Sequence, residues 1–212
     1  VLKRLPAIGQ CGNFLTVAVL DRTAPHPTPG VGFARKVGAD IATQLHHAGL
    51  VESGWIHTTD GDARVSPTYF DIALSKTHRW GLGPLSPAAV VHPFFHELEG
   101  ERGDALSLYD TFLKYYCKGL EIAGSPFAFP TIGSTLSFTP EAYAQVRGFP
   151  KREAGEDFYF LHKIAKIGFV WEGGGQVRLV CRGSQRVPFG TGQSIEKISR
   201  LKEQGTEYKI YA

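Results

Sequence analysis

Short apolar runs rich in β-branched residues alternate with amphipathic helical stripes along this chain, and that alternation restricts what it can fold into. "FLTVAVL" at 14–20 reads as a buried strand and "WIHTT" at 55–59 as a second. Between them, Ala34, Val37, Ile41, Ala42 and Leu45 follow the i, i+3, i+4 rhythm of a helix over 33–47. Arg35, Lys36, Asp40 and Gln44 face elsewhere, and Gly49 is its stop. A longer stripe, Leu106, Tyr109, Phe112, Leu113, Tyr116 and Leu120, predicts a helix over 104–120. Further helices are expected over 66–76, capped by Ser66, over 139–148, capped by Thr139 with Pro140 in the first turn, and over 155–167 and 194–204. Strands are expected over 133–138, 169–172 and 176–181, whereas 80–103 reads as irregular because Gly and Pro punctuate it. Strands that alternate with helices in this way stack into an α/β layer architecture.

At 212 residues the chain has material for one substantial core, and a single domain over 1–212 is expected. Hydrophobic residues make up 42% and charged residues 20%, the composition of a soluble globular protein. No apolar run approaches the ~20 residues of a membrane span, and "VLKRLPAIGQCGN" lacks the apolar centre of a signal peptide. The net charge of +3 helps an anionic ligand approach but falls short of a nucleic-acid footprint, so no nucleic-acid partner is expected. Cys11, Cys117 and Cys181 are odd in number and widely spaced, against both a disulfide framework and a zinc site. They fit a reducing cytoplasm, with a peripheral place at the inner membrane face as the variant of that expectation. The chain has no Met, at position 1 or elsewhere, so the natural start is expected upstream.

Two acidic pairs carry the chemistry. Asp60 and Asp62 lie where the 55–59 strand runs out, with Gly61 letting the chain turn, and ligands of open α/β sheets bind at the carboxyl ends of strands. Two close carboxylates call for a cation, for which a divalent metal is the common answer; an acidic turn is the plainer one. Glu156 and Asp157 open a helix whose apolar face is Phe158, Leu161, Ile164 and Ala165. Acidic residues in a first turn match the helix dipole, which accounts for them without any site. His92 and His96 have the i, i+4 spacing of a helical metal pair, but Pro93 and the missing helical pattern leave them as ordinary loop histidines.

A strand-end Asp-x-Asp followed by Gly-Glu-Asp resembles the family 2 glycosyltransferases of the GT-A fold. "PGVGFARKVGADIA" is similar to that family's glycine–Ala-Arg helix start, and "TTDGDARVSPTYF" to its metal motif and following helix. "TIGSTLSFTPEAYAQVRGFPKREAGEDFYFLHKIAKIG" is similar to the acceptor-site strand and the Glu-Asp helix, and "CRGSQRVPFGTG" to the Ser-x-Arg segment downstream. The resemblance runs from about 14 to 195. It implies a mixed, mainly parallel sheet flanked by helices, with donor and metal residues in 14–62 and acceptor and catalytic residues in 104–195. It also implies metal-dependent, inverting transfer of a sugar, hexosyltransferase-like, from a nucleotide-diphospho-sugar to an acceptor hydroxyl on a sugar, a lipid-linked or a small-molecule acceptor. Mn2+ or Mg2+ at Asp62, with Asp60 nearer the ribose or donor sugar, would neutralise charge growing on the leaving diphosphate. Asp157 matches the base position and Glu156 its acceptor-orienting neighbour, with Gly133 and Ser134 on the acceptor strand. A helix N-terminus is expected to keep the Asp157 carboxylate ionised. Arg35 and Lys36, after a glycine turn, suit the diphosphate, and Arg182 and Arg186 suit a clamp on the leaving phosphates.

The chain departs from the family pattern in two ways. No His follows His162, so a late histidine on the metal is missing. The family's two opening strands, which cradle base and ribose, are absent, and 14–20 aligns with its third strand. Either roughly 60–90 residues, two βα units, lie upstream, or 14–20 pairs directly with 55–59 in a contracted sheet. Two other readings stand beside transfer: a non-catalytic GT-A remnant that binds, and a sugar-phosphate nucleotidyltransferase, for which "DRTAPHPTPG" is a poor Gly-rich, basic signature.

Overall fold

The computed structural model describes residues 8–11, 15–18, 30–71, 87–97, 103–152, 154–180, 191–206 and 208. The first half runs β1 (Ile8–Cys11), β2 (Leu15–Ala18), α1 (Gly30–His47), β3 (Ile56–Thr58), β4 (Arg64–Val65), β5 (Ala89–Val91) and β6 (Phe94–His96). Then follow α2 (Gly103–Ile122), a 3₁₀ turn (Gly133–Thr135), β7 (Leu136–Phe138) and α3 (Pro140–Gln145). The last elements are α4 (Glu156–Ile164), β8 (Val170–Glu172), β9 (Val177–Leu179) and α5 (Thr191–Glu203).

Helices stand where apolar periodicity and end signals coincide. α1 stops at Gly49, which takes φ +68°, while Leu50 N–H donates to Leu45 O at 2.9 Å and closes the last turn. α3 begins at Thr139, whose hydroxyl oxygen accepts from Ala142 N–H at 3.2 Å. The helix expected from Ser66 is not formed in its described part. Tyr69 N–H to Ser66 O and Asp71 N–H to Thr68 O make successive turns there, and 72–76 lie outside the described residues. The stretch expected to be irregular holds β5 and β6, so that expectation is corrected. Ala89, Val90 and Val91 have no exposed surface, and a strand buried on both faces shows no alternation to read.

The central sheet has the order β3-β7-β5-β8. β7 runs antiparallel to both β3 and β5, and only β5 and β8 are parallel. A second sheet, β4-β9-β6, pairs β4 with β9 antiparallel and β6 with β9 parallel. The protein is therefore α/β with mixed sheets flanked by helices, and the expected mainly parallel sheet is corrected. β7 follows α2 and runs against both its neighbours, which no pattern internal to "LSF" could announce. β2 pairs antiparallel with β1, Ile8 opposite Ala18 and Cys11 opposite Leu15. Its neighbour is thus a strand just before it in the chain, not the 55–59 strand, and the contracted-sheet alternative is corrected.

α1, α3 and α4 cover one face of the central sheet. The core there gathers Ala39, Leu136, Phe138, Tyr143, Phe149, Phe160, Leu161 and Ile164. The Phe138 ring stands 4.9 Å from Phe160 and 5.3 Å from Tyr143, a packed aromatic centre. Tyr69, Val177 and Leu179 form a smaller cluster with β9, and α2 packs on α5 through Leu106, Tyr109, Ile195 and Ile198.

Candidate active site

Four separate stretches of sequence meet at Arg35. It lies in the first half of α1, near where Gly32 lets the helix touch the approach to α4: a Cβ on Gly32 would stand 2.7 Å from Arg152 O and 2.9 Å from Glu156 Cβ. One guanidinium nitrogen of Arg35 donates to Asp60 Oδ1 at 2.7 Å, and the other is paired with Glu156 Oε1. The Arg35 and Glu156 side chains are 12% and 4% exposed, against 52% for Asp60. The guanidinium also lies across Gly133, where a Cβ would come within 2.6 Å of Arg35 Cζ. Only glycine fits there with Arg35 in place.

Asp157 stands beside this bridge. Burial and the neighbouring Glu156 push its carboxyl up to about 6, while the N–H groups of Phe158 and Gly133 and the Arg35 charge pull the other way. The helix start was expected to keep this group ionised. Phe158 N–H does reach Asp157 Oδ1, at 2.7 Å, but a half-charge at a helix end is outweighed by desolvation and a like charge next door. A carboxyl near 6 is ionised at neutral pH and a stronger base than an ordinary aspartate.

Asp60 and Asp62 share a turn closed by Ala63 N–H on Asp60 O at 3.1 Å. Among the described residues no group of three or more His, Cys, Asp and Glu is placed to hold a metal ion. Mg2+ or Mn2+ held by one or two carboxylates and completed by substrate phosphates does not require such a cage. In chemical type, the Asp60–Asp62 pair fits an ion of that kind.

Other expected residues fall elsewhere. Lys36 points away from the bridge, because consecutive helical residues do not share a face. Its ammonium bonds Asp40 at 3.0 Å and lies 5.9 Å from the Tyr143 ring centroid, so it is not part of the Arg35 bridge. Arg35 is already committed to two carboxylates, which makes it a counter-ion of the site before any phosphate arrives. Ser134, within the 3₁₀ turn, is 4% exposed. Arg182 and Arg186 lie outside the described residues.

The histidines of "HPFFH" are not ordinary loop residues. His92 is fully buried, with Nδ1 3.0 Å from Gly175 O and Nε2 2.7 Å from Ser137 Oγ, and Ser137 Oγ is 2.7 Å from His57 Nδ1. His96 is 5% exposed, with Nδ1 2.6 Å from Asp110 Oδ1. Sequence reading passed over His57, Thr58 and Ser137. The available signal was the polar "HT" inside an apolar strand, whose alternation sends the two side chains to opposite faces.

Three comparisons, with family models, with curated proteins and with solved structures, each return no match.

Proposed function

We propose that the chain transfers a sugar from a nucleotide-diphospho-sugar to an acceptor hydroxyl with inversion, Asp157 serving as the base. One observation supports this reading above others. Arg35, Asp60, Gly133, Glu156 and Asp157 come from four distant stretches, were each singled out by motif, and lie together. In this reading the acceptor oxygen attacks the anomeric carbon on the face opposite the leaving diphosphate as Asp157 takes its proton. Glu156, enclosed and paired with Arg35, stands behind Asp157 and raises its basicity, and Arg35 keeps Asp60 and Glu156 from repelling each other. A divalent ion at Asp62 and Asp60, when bound, supplies positive charge to the departing phosphates. The acceptor class is a sugar, lipid-linked or small-molecule hydroxyl. Among the described residues no helix is long and apolar enough to cross a membrane.

Hydrolysis of a UDP-sugar and GDP-sugar panel with Mn2+, with and without chelator, tests the reading. Release of nucleoside diphosphate that needs the ion, and is lost in Asp62→Ala, is the expected result. Donor binding without turnover would leave the binding-module reading, and turnover of a sugar phosphate with a nucleoside triphosphate would establish the nucleotidyltransferase.

A further inference from the structure

We infer that Thr58 is a positioning residue whose hydroxyl sets the separation between the Asp60–Asp62 turn and the Asp157 carboxyl. Thr58 ends β3, two residues before Asp60. Its Oγ1 donates to Gly133 O at 2.9 Å and lies 3.2 Å from Leu136 O, so it spans the 3₁₀ turn from start to finish. The backbone N–H of that same Gly133 favours the ionised Asp157 carboxyl, and its Cα is covered by the Arg35 guanidinium. One hydroxyl therefore ties the strand that delivers Asp60 to the turn that borders Asp157.

The tie matters because the ladder is short. β3 and β7 pair through Ile56–Phe138, His57–Ser137 and Thr58–Leu136, and the last of these is where pairing stops. Beyond it the chain turns into Asp60 and Asp62, and the Thr58 hydroxyl acts as one further rung. Register is secured on the opposite face by a directional chain. Gly175 O can only accept, so His92 Nδ1 carries the proton and His92 Nε2 accepts from the Ser137 hydroxyl. Ser137 has no second proton, so His57 Nδ1 donates to Ser137 Oγ. A slip of one residue would break this chain and turn Thr58 away from Gly133.

The geometry can be tested whether or not the chain transfers sugar; only the kinetic arm rests on the proposed function. Thr58→Val keeps the β-branched shape and removes the hydroxyl, and Thr58→Ser restores it. The first readout is the Asp157 titration midpoint in the full chain, followed by carboxyl carbon NMR and assigned by its loss in Asp157→Asn. The charged groups facing that carboxyl are Glu156 on its own helix and Arg35 from α1. With the Gly133 N–H displaced, the midpoint rises in Thr58→Val and returns in Thr58→Ser. In the kinetic arm, kcat falls ~10–100-fold in the Val variant with donor KM nearly unchanged, the cost of a misplaced base. A Val variant with parental midpoint overturns the inference, as does a Ser variant that fails to restore it. If Val and a parallel Thr58→Ala both fail to fold, the hydroxyl is merely structural and the inference is overturned as well. A parent chain that turns over no donor removes the proposed function but leaves the midpoint comparison standing.

Discussion

The two faces of β3 handle polar groups in opposite ways. Toward α1, Asp60 and Glu156 are charged and share Arg35, with Asp60 half open to solvent. On the other face His57, Ser137 and His92 are bonded in a line, with Tyr69 4.4 Å from the His92 ring. Burial lowers the His57 pKa to about 4 and that of His92 in the same direction, so both stay neutral. Solvent reaches the first face at Asp60, and Arg35 balances the enclosed Glu156, so charge is tolerable there. Among the described residues the second face carries no counter-ion for its imidazoles, and the fully buried His92 and partly buried His57 are held neutral and hydrogen-bonded. Adjacent residues of one strand serve both, because side chains alternate across a sheet.

Asp157→Asn tests the charged face most severely. Transfer should fall by ~10²–10⁴, the usual cost of a lost base, read as product formation on a proven acceptor. Stability should move the other way. The Asp157 pKa is raised in the folded chain, so its favourable contribution is full below the ordinary aspartate value and lost as pH rises through about 6. Chemical denaturation at pH 8 should therefore find Asp157→Asn more stable than the parent, with the difference closing by pH 4. In the parent, the rate should climb as pH passes through about 6.

Arg35→Met should cost ~3–5 kcal/mol, because it leaves the enclosed Glu156 carboxylate without its partner. Urea unfolding at pH 7 measures this. A loss under 1 kcal/mol would mean that Glu156 does not depend on Arg35. Ser137→Ala probes the neutral face and should cost ~1–3 kcal/mol, since the fully buried His92 loses a bond it cannot replace with water. Because the two histidine pKa values are depressed, stability should fall as pH drops from 6.5 toward 4 in an Asp157→Asn background, where the opposing gain from Asp157 is removed. A pH-independent stability of that variant across the window would mean that the imidazoles are not held neutral by burial.

Lys36→Gln is the smallest test and the sharpest contrast with its neighbour. Its i, i+4 pair with Asp40 is 22% and 40% exposed, and such pairs contribute ~0.3–0.5 kcal/mol. Donor affinity by calorimetry should be unchanged. A clear loss would put Lys36 back among the donor contacts.

Sequence alone determined most of the helices and the acidic positions. The extents of α1 and α2, the Thr139 cap and the Gly49 stop are local signals, carried by residues within one or two turns of each other, and they are formed where they were read. Yet α1 buries Gly32, Ala39 and Thr43 rather than the stripe through Ala34 and Val37. Asp60, Glu156 and Asp157 stood out because strand ends and helix starts are themselves legible. The tertiary structure decided everything that depends on neighbours distant in the chain. β5 could not be seen because burial on both faces erases alternation, and the antiparallel place of β7 comes from pairing with β3 and β5. The raised Asp157 pKa comes from enclosure beside Glu156. Arg35 read as a helix-face charge suited to phosphate, and became a buried bridge only when residues 35, 60 and 156 were folded together. Local propensity acts over a few residues, whereas desolvation and charge pairing act through space, and no single stretch of this chain contains both partners.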